Sequence, residues 1–168
     1  MTLRTAIVFL LCSTLFAQHA APTYGWKKVV ETTTELDPMA LMKPEAAADS
    51  RTRVKFVIEA DSGVFFGVLP AQTVQQVFAH NLVLRTQHFQ QMKCSRVGIV
   101  KGEFECVLEQ GETYLVRDKR AEGSAMMGTL GAMSGNPNIA ERATKPNKVH
   151  LTIYEWTCIE NCRSTNTP

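Results

Sequence analysis

Apolar and polar residues alternate most clearly over Arg53–Ala60. Val54, Phe56, Ile58 and Ala60 fall on one side, and Arg53, Lys55, Val57 and Glu59 on the other. That period of two predicts a half-buried strand. Asp61-Ser62-Gly63 is a turn cluster, so Val64–Leu69 is expected to return as the second strand of a hairpin. Upstream, Trp26–Leu36 is rich in Val and Thr and predicts a strand. Asp37–Asp49, with two prolines and the run Ala46 to Ala48, reads as a connection.

After Pro70, which suits a first helical turn, the pattern changes period. Val74, Val77, Phe78 and Leu82 make a helical stripe that Phe89 and Met92 continue. This predicts one main helix to about Met92, or a helix and a short second element, since Leu82-Val83-Leu84 interrupts the stripe. Arg96–Val100, Glu103–Glu109 and Thr113–Asp118 read as a three-strand meander, with Lys101-Gly102 and Gln110-Gly111 as tight turns. Phe104, Cys106 and Leu108 share the core-facing side. Lys148–Trp156 supplies a closing strand. The expected architecture is a single α+β domain over 26–162: one main helix packed on a mostly antiparallel sheet, braced by disulfides. A helix across a curved sheet is also the layout of cystatin-like inhibitors. Gln75-Gln76-Val77-Phe78-Ala79 lacks that family's Gln-x-Val-x-Gly pattern, so no family is assigned on the layout alone.

The ends change the picture. Arg4 precedes an apolar run from Thr5 to Phe16, the layout of a secretory signal over 1–17, with cleavage as late as 21. The run is shorter than the roughly 20 residues a membrane span needs, and no later segment is long and apolar enough for one. Leu11 is too bulky to precede an acylated Cys12. The chain is therefore expected to be exported, to the periplasm or the extracellular space, with no span in the mature protein. Its formal charge of +2 falls to +1 once Arg4 is removed. Near-neutral charge of mixed sign argues against nucleic acid as a partner. Cys94, Cys106, Cys158 and Cys162 survive cleavage, and an even number in an exported chain reads as disulfides. Cys94–Cys106 and Cys158–Cys162 are the pairs closest in sequence; the first is expected to staple the helix to the sheet. Residues 121–147 are rich in Gly, Ala and Met and are expected to form a long mobile loop. Residues 163–168 read as a frayed tail.

No spacing fixes a reaction. Gly131-Ala132-Met133-Ser134-Gly135 is not a nucleophile elbow. His80 and His88 are not at helical metal-ligand spacing, and His150 reads as an outer-face strand residue. Glu103 and Glu105 share a solvent face with nothing to suggest burial, while Glu109 and Glu112 follow in the same stretch. Met126, Met127 and Met133 stand out in the loop. Thioethers form adaptable contact surfaces and suit Cu(I). The expectation is an exported binding or interaction module without catalytic activity or cofactor, contacting a protein partner or small ligand through Met126, Met127 and Met133. The alternatives are a small secreted hydrolase, an inhibitor presenting the Cys94–Cys106 segment, and periplasmic Cu(I) binding by the loop methionines.

Overall fold

Residues Thr52–Pro70 form one continuous strand where the sequence pattern predicts a hairpin. In the computed structural model, which describes residues 21–38, 40–44, 46–80, 84, 86–122, 133 and 145–162, the elements run as follows. Strands β1 (Thr23–Leu36), β2 (Leu41–Met42) and β3 (Thr52–Pro70) come first. Helices α1 (Ala71–Ala79) and α2 (Thr86–Gln90) follow, then β4 (Lys93–Leu108), β5 (Glu112–Asp118), a 3-10 turn (Lys119–Glu122) and β6 (Asn147–Glu160). The α+β expectation is thereby corrected. The fold is mostly β, a nearly barrel-shaped sheet accompanied, among the described residues, by the two short helices α1 and α2. Residues 1–20, 123–132, 134–144 and 163–168 lie outside the described residues, and with them the expected signal, most of the expected loop and the tail.

The correction has a local cause. Both turn signals inside the long strands mark bends rather than reversals. At Asp61-Ser62-Gly63 the buried Asn147 side chain replaces the missing ladder partner: its amide accepts from the Ser62 N–H at 2.9 Å and donates to the Ser62 carbonyl at 3.0 Å. Gly63 is needed there because a Cβ would stand 3.3 Å from the Cα of Gly98, itself at φ +73°. The register between β3 and β4 slips across this bend, between Glu59 and Val64. Lys101-Gly102 likewise stays within β4, so the expected meander is one bent strand, β4, followed by β5. Of the two readings of the helical stretch, the structure has the helix with a short second element: α1 starts after Pro70, Val77 is the last buried residue of its stripe and His80 closes it, and α2 follows at Thr86–Gln90.

Sheet order is β1-β6-β3-β5-β2, with β4 on the other edge of β3. All pairings are antiparallel. The first half of β3 pairs with β6 (Val54–Glu155 through Ala60–Val149), and its second half with β5 (Val64–Asp118 through Pro70–Glu112). The sheet therefore divides at the bend, and its two halves fold over one core. Phe56, Ile58, Val64, Phe66, Tyr114, Val116, Val149 and Leu151 fill that core. Phe56 and Phe66 approach with ring centroids 4.7 Å apart.

Two disulfides are present, Cys94–Cys106 and Cys158–Cys162. Both cysteines of the first belong to β4. Twelve residues of straight strand would span about 40 Å, yet the two Cα atoms are 6.1 Å apart. The strand curls around the core until its ends meet. A register slip between Phe66 and Val68 leaves Cys94 in a bulge at φ 53°, packed against the core; bulges re-aim side chains in this way. The bond thus staples one half-sheet to the other, not a helix to the sheet. Two disulfides suit an extracellular protein, and among the described residues no helix is long and apolar enough to cross a membrane.

A second, smaller core lies on the opposite face of the β3–β5 half. Phe65, Leu69 and Leu115 meet Val74 of α1 and Phe89 of α2. The helices cover this half only. Gly67 lets Met92 lie against the strand, since a Cβ there would stand 2.7 Å from the Cβ of Met92.

Candidate functional site

At one end of the folded sheet the closure is incomplete, and a pocket of about 500 Å³ enters the main core. Two features of the chain create it. In β1 the register against β6 slips between Lys28 and Val30, leaving Val29 as an extra residue that bends the strand away. Opposite, Ala46, Ala47 and Ala48 occupy the wall with side chains too small to fill it. This segment is held in place by backbone bonds: the Ala48 N–H donates to the Glu112 carbonyl and its carbonyl accepts from Gly111, while the Thr113 hydroxyl donates to the Ala46 carbonyl at 2.8 Å. The pocket floor is Val54, Phe56, Tyr114 and Ile153. Its rim carries Asp49, Ser50, Thr52 and Glu155, with the Thr52 hydroxyl donating to the Glu155 carboxylate at 2.8 Å. The volume lies in the range of small-molecule sites, and so does the arrangement of apolar walls with a few polar groups at the mouth.

A second, more open cleft lies at Thr33, Glu59, Asp61, Lys101, Lys148 and His150. His150 is on the outer face, with Nδ1 2.8 Å from the Thr33 hydroxyl and Nε2 3.3 Å from that of Thr152. Glu31 stands 3.7 Å from the ring. Both Glu31 and Glu59 are held below the usual carboxylate range, by hydrogen bonds from Lys28 and Lys101 respectively. Hydroxyl, imidazole and carboxylate thus lie in the order of a hydrolytic relay. The carboxylate is beyond hydrogen-bond reach, however, and the second ring nitrogen is shared with Thr152.

The acidic stretch singled out in the sequence is occupied by cations. Glu103 pairs with Lys55 (3.1 Å), Glu105 with Arg53, Glu109 with Arg51 (3.4 Å) and Glu112 with Lys93 (2.6 Å). Burial pushes the Glu112 carboxyl up, but the Glu109 N–H and the Lys93 ammonium outweigh it and hold the group below its ordinary value. Of the loop methionines, Met133 is exposed, and Met126 and Met127 lie outside the described residues. Ser134 lies outside them as well. Among the described residues no group of three His, Cys, Asp or Glu side chains is placed to hold a metal. The segment between Cys94 and Cys106 is strand, paired to β3, rather than a presented loop.

Sequence reasoning missed the pocket. Its signals were the doubled Val29-Val30, which breaks the alternation of β1, and the three alanines, which leave room. Neither carries chemistry of its own. No family model, no curated protein and no solved structure matches this chain.

Proposed function

We propose that this chain is an exported binding module without catalytic activity, and that it holds a small apolar ligand in the pocket beside Val29. The observation that carries the reading is the pocket itself: an opening into the core walled by Val54, Phe56, Tyr114 and Ile153, with Asp49, Ser50, Thr52 and Glu155 at its mouth. Apolar surface left open to water gains free energy when a ligand covers it. Export is supported by the apolar run after Arg4 and by the two disulfides. The rim carboxylates Asp49 and Glu155 favour a ligand whose polar end is a hydrogen-bond donor or a cation over a carboxylate.

The test is a titration with N-phenyl-1-naphthylamine, an uncharged dye that brightens in apolar surroundings, alongside native mass spectrometry of protein taken from the exported fraction. Saturable binding is expected in the wild type and its loss in Ala47→Trp, which fills the pocket, with an unchanged unfolding midpoint. Equal binding by Ala47→Trp would remove the pocket from the reading. A hydrolase finds its best support in the 2.8 Å contact between Thr33 and His150. Ester hydrolysis above buffer that disappears in His150→Ala would put that reading first.

A further inference from the structure

Among the described residues three strands lie at an edge of the sheet: β1, β2 and β4. Two of these edges are protected. β2 is two residues long, and β1 carries the extra residue at Val29; short length and bulges both hinder an edge from pairing with another chain. The third is different. β4 pairs with β3 on one side, and among the described residues its other side makes no backbone pair. Its register against β3 is continuous from Thr52–Leu108 to Glu59–Lys101, and it contains no proline. Val100 is 51% exposed, and the Lys101 and Glu103 side chains are 79% and 60% exposed. A row of unpaired N–H and carbonyl groups on such a strand is a template for a further strand.

The charges along β4 say which strand. A lysine ordinarily guards an edge, because a second copy brings the same charge to it. In β4 that rule depends on register. Two copies related by a two-fold axis perpendicular to the sheet pair antiparallel and keep their outer faces together. The axis then passes through one residue, and residues equally far on either side of it stand opposite each other. The outer face of β4 presents Lys101, Glu103 and Glu105 in turn. An axis at Lys101, Glu103 or Glu105 sets that charge against its own copy, and an axis at Phe104 sets Glu103 against Glu105. An axis at Gly102 sets Lys101 against Glu103 twice and brings no like charges together. Opposite charges directly across a strand pair stabilise it, and like charges destabilise it.

The Gly102 register fits the rest of the sheet as well. Lys101 is paired with Glu59, and Glu103 with Lys55. The outer row across the two copies then runs Glu59, Lys101, Glu103, Lys55, alternating in sign from one β3 to the other. On the opposite face the exposed Val100 meets the half-buried Phe104 of the second copy. A perpendicular axis also curls both copies to the same side, so the bend at Lys101-Gly102 does not part the strands. We propose that the β4 edge pairs with a second copy of this chain, antiparallel about Gly102, joining the two sheets into one.

The test is sedimentation velocity of the exported, disulfide-bonded protein over a concentration series, for wild type, Lys101→Glu and Glu103→Lys. Wild type is expected to dimerise. Each variant sets like charges against each other twice and should dimerise at least about tenfold more weakly. Mixed one to one, the two variants again oppose unlike charges at both positions, and a heterodimer close to wild-type affinity should return. Each substitution also loses an exposed pair within the chain, which contributes little to the fold. A second measurement needs no variant: as wild type dimerises, amides between Ile99 and Glu105 should gain protection from hydrogen exchange. The proposal is overturned by a wild type that stays monomeric, by a dimer that both variants retain, by variants that mixing fails to restore, or by protection gained only at another surface. A filled or empty pocket leaves this stretch of β4 unchanged, so the result stands apart from the dye titration.

Discussion

The two halves of β3 pass through different surroundings although they belong to one strand. From Val64 to Leu69 every residue is buried, with Val64, Phe66 and Val68 in the main core and Phe65 and Leu69 under the helices. From Thr52 to Ala60 only alternate residues are buried, and Arg53, Lys55 and Glu59 on the outer face meet Glu105, Glu103 and Lys101 of β4. The helix-covered half therefore draws its stability from packing on two faces. The open half has packing on one face and a ladder of solvent-screened ion pairs on the other. The open half carries the His150 cleft and supplies Val54 and Phe56 to the pocket, whose other wall is Tyr114, paired with Val68 of the covered half, and the Ala46–Ala48 segment bonded to Gly111 and Glu112. The pocket thus lies between the two halves.

The sharpest way to break this comparison is a pair of truncations. Phe66→Ala should destabilise by about 3–5 kcal/mol, the usual cost of emptying a fully buried aromatic site. Arg53→Gln on the open outer face should cost less than about 1 kcal/mol, since exposed ion pairs contribute little. Urea unfolding measures both, and similar losses would show that the outer ladder supports the fold as much as the core does.

A smaller effect is expected from the staple between the halves. In the chain-entropy model, removing Cys94–Cys106 by a double Ala substitution costs about 3 kcal/mol, and removing Cys158–Cys162, with its shorter loop, about 2 kcal/mol. The first loss should also loosen the pairing of both β3 halves, read by amide exchange, while the second should stay within the paired ends of β1 and β6 around Tyr24 and Cys158. Exchange changes confined to β4 after the first removal would contradict the staple.

The smallest effect is a titration on the covered side, where Glu112 closes the register between β3 and β5. Its folded-state pKa lies below the ordinary value of 4.5. The group thus contributes stability that is present above that value and is lost as pH falls through the folded pKa. Glu112→Gln should be less stable than wild type at neutral pH, and the difference should shrink below about pH 4.5. A gap between the two acid-unfolding curves that stays constant through that range would assign the residue a purely steric part.

Much of the strand content was legible in the residues. The Val54–Phe56–Ile58 alternation, the core-facing Phe104, Cys106 and Leu108, and Pro70 at the start of α1 all follow from local period and backbone chemistry, which neighbours in sequence determine. The bends were not legible. Asp61-Ser62-Gly63 and Lys101-Gly102 carry the composition of turns, and only a distant residue, Asn147, decides whether the chain reverses there or continues with its backbone groups satisfied. The helical stripe left two readings open, one long helix or a helix and a short second element, and the structure has the second, with Val74 of α1 and Phe89 of α2 packed on the same half-sheet. The pocket depends on what is missing beside it, on side chains too small to close a gap and on the register slip at Val29. Local sequence records each residue's preference; which surfaces remain uncovered is a property of the assembled sheet.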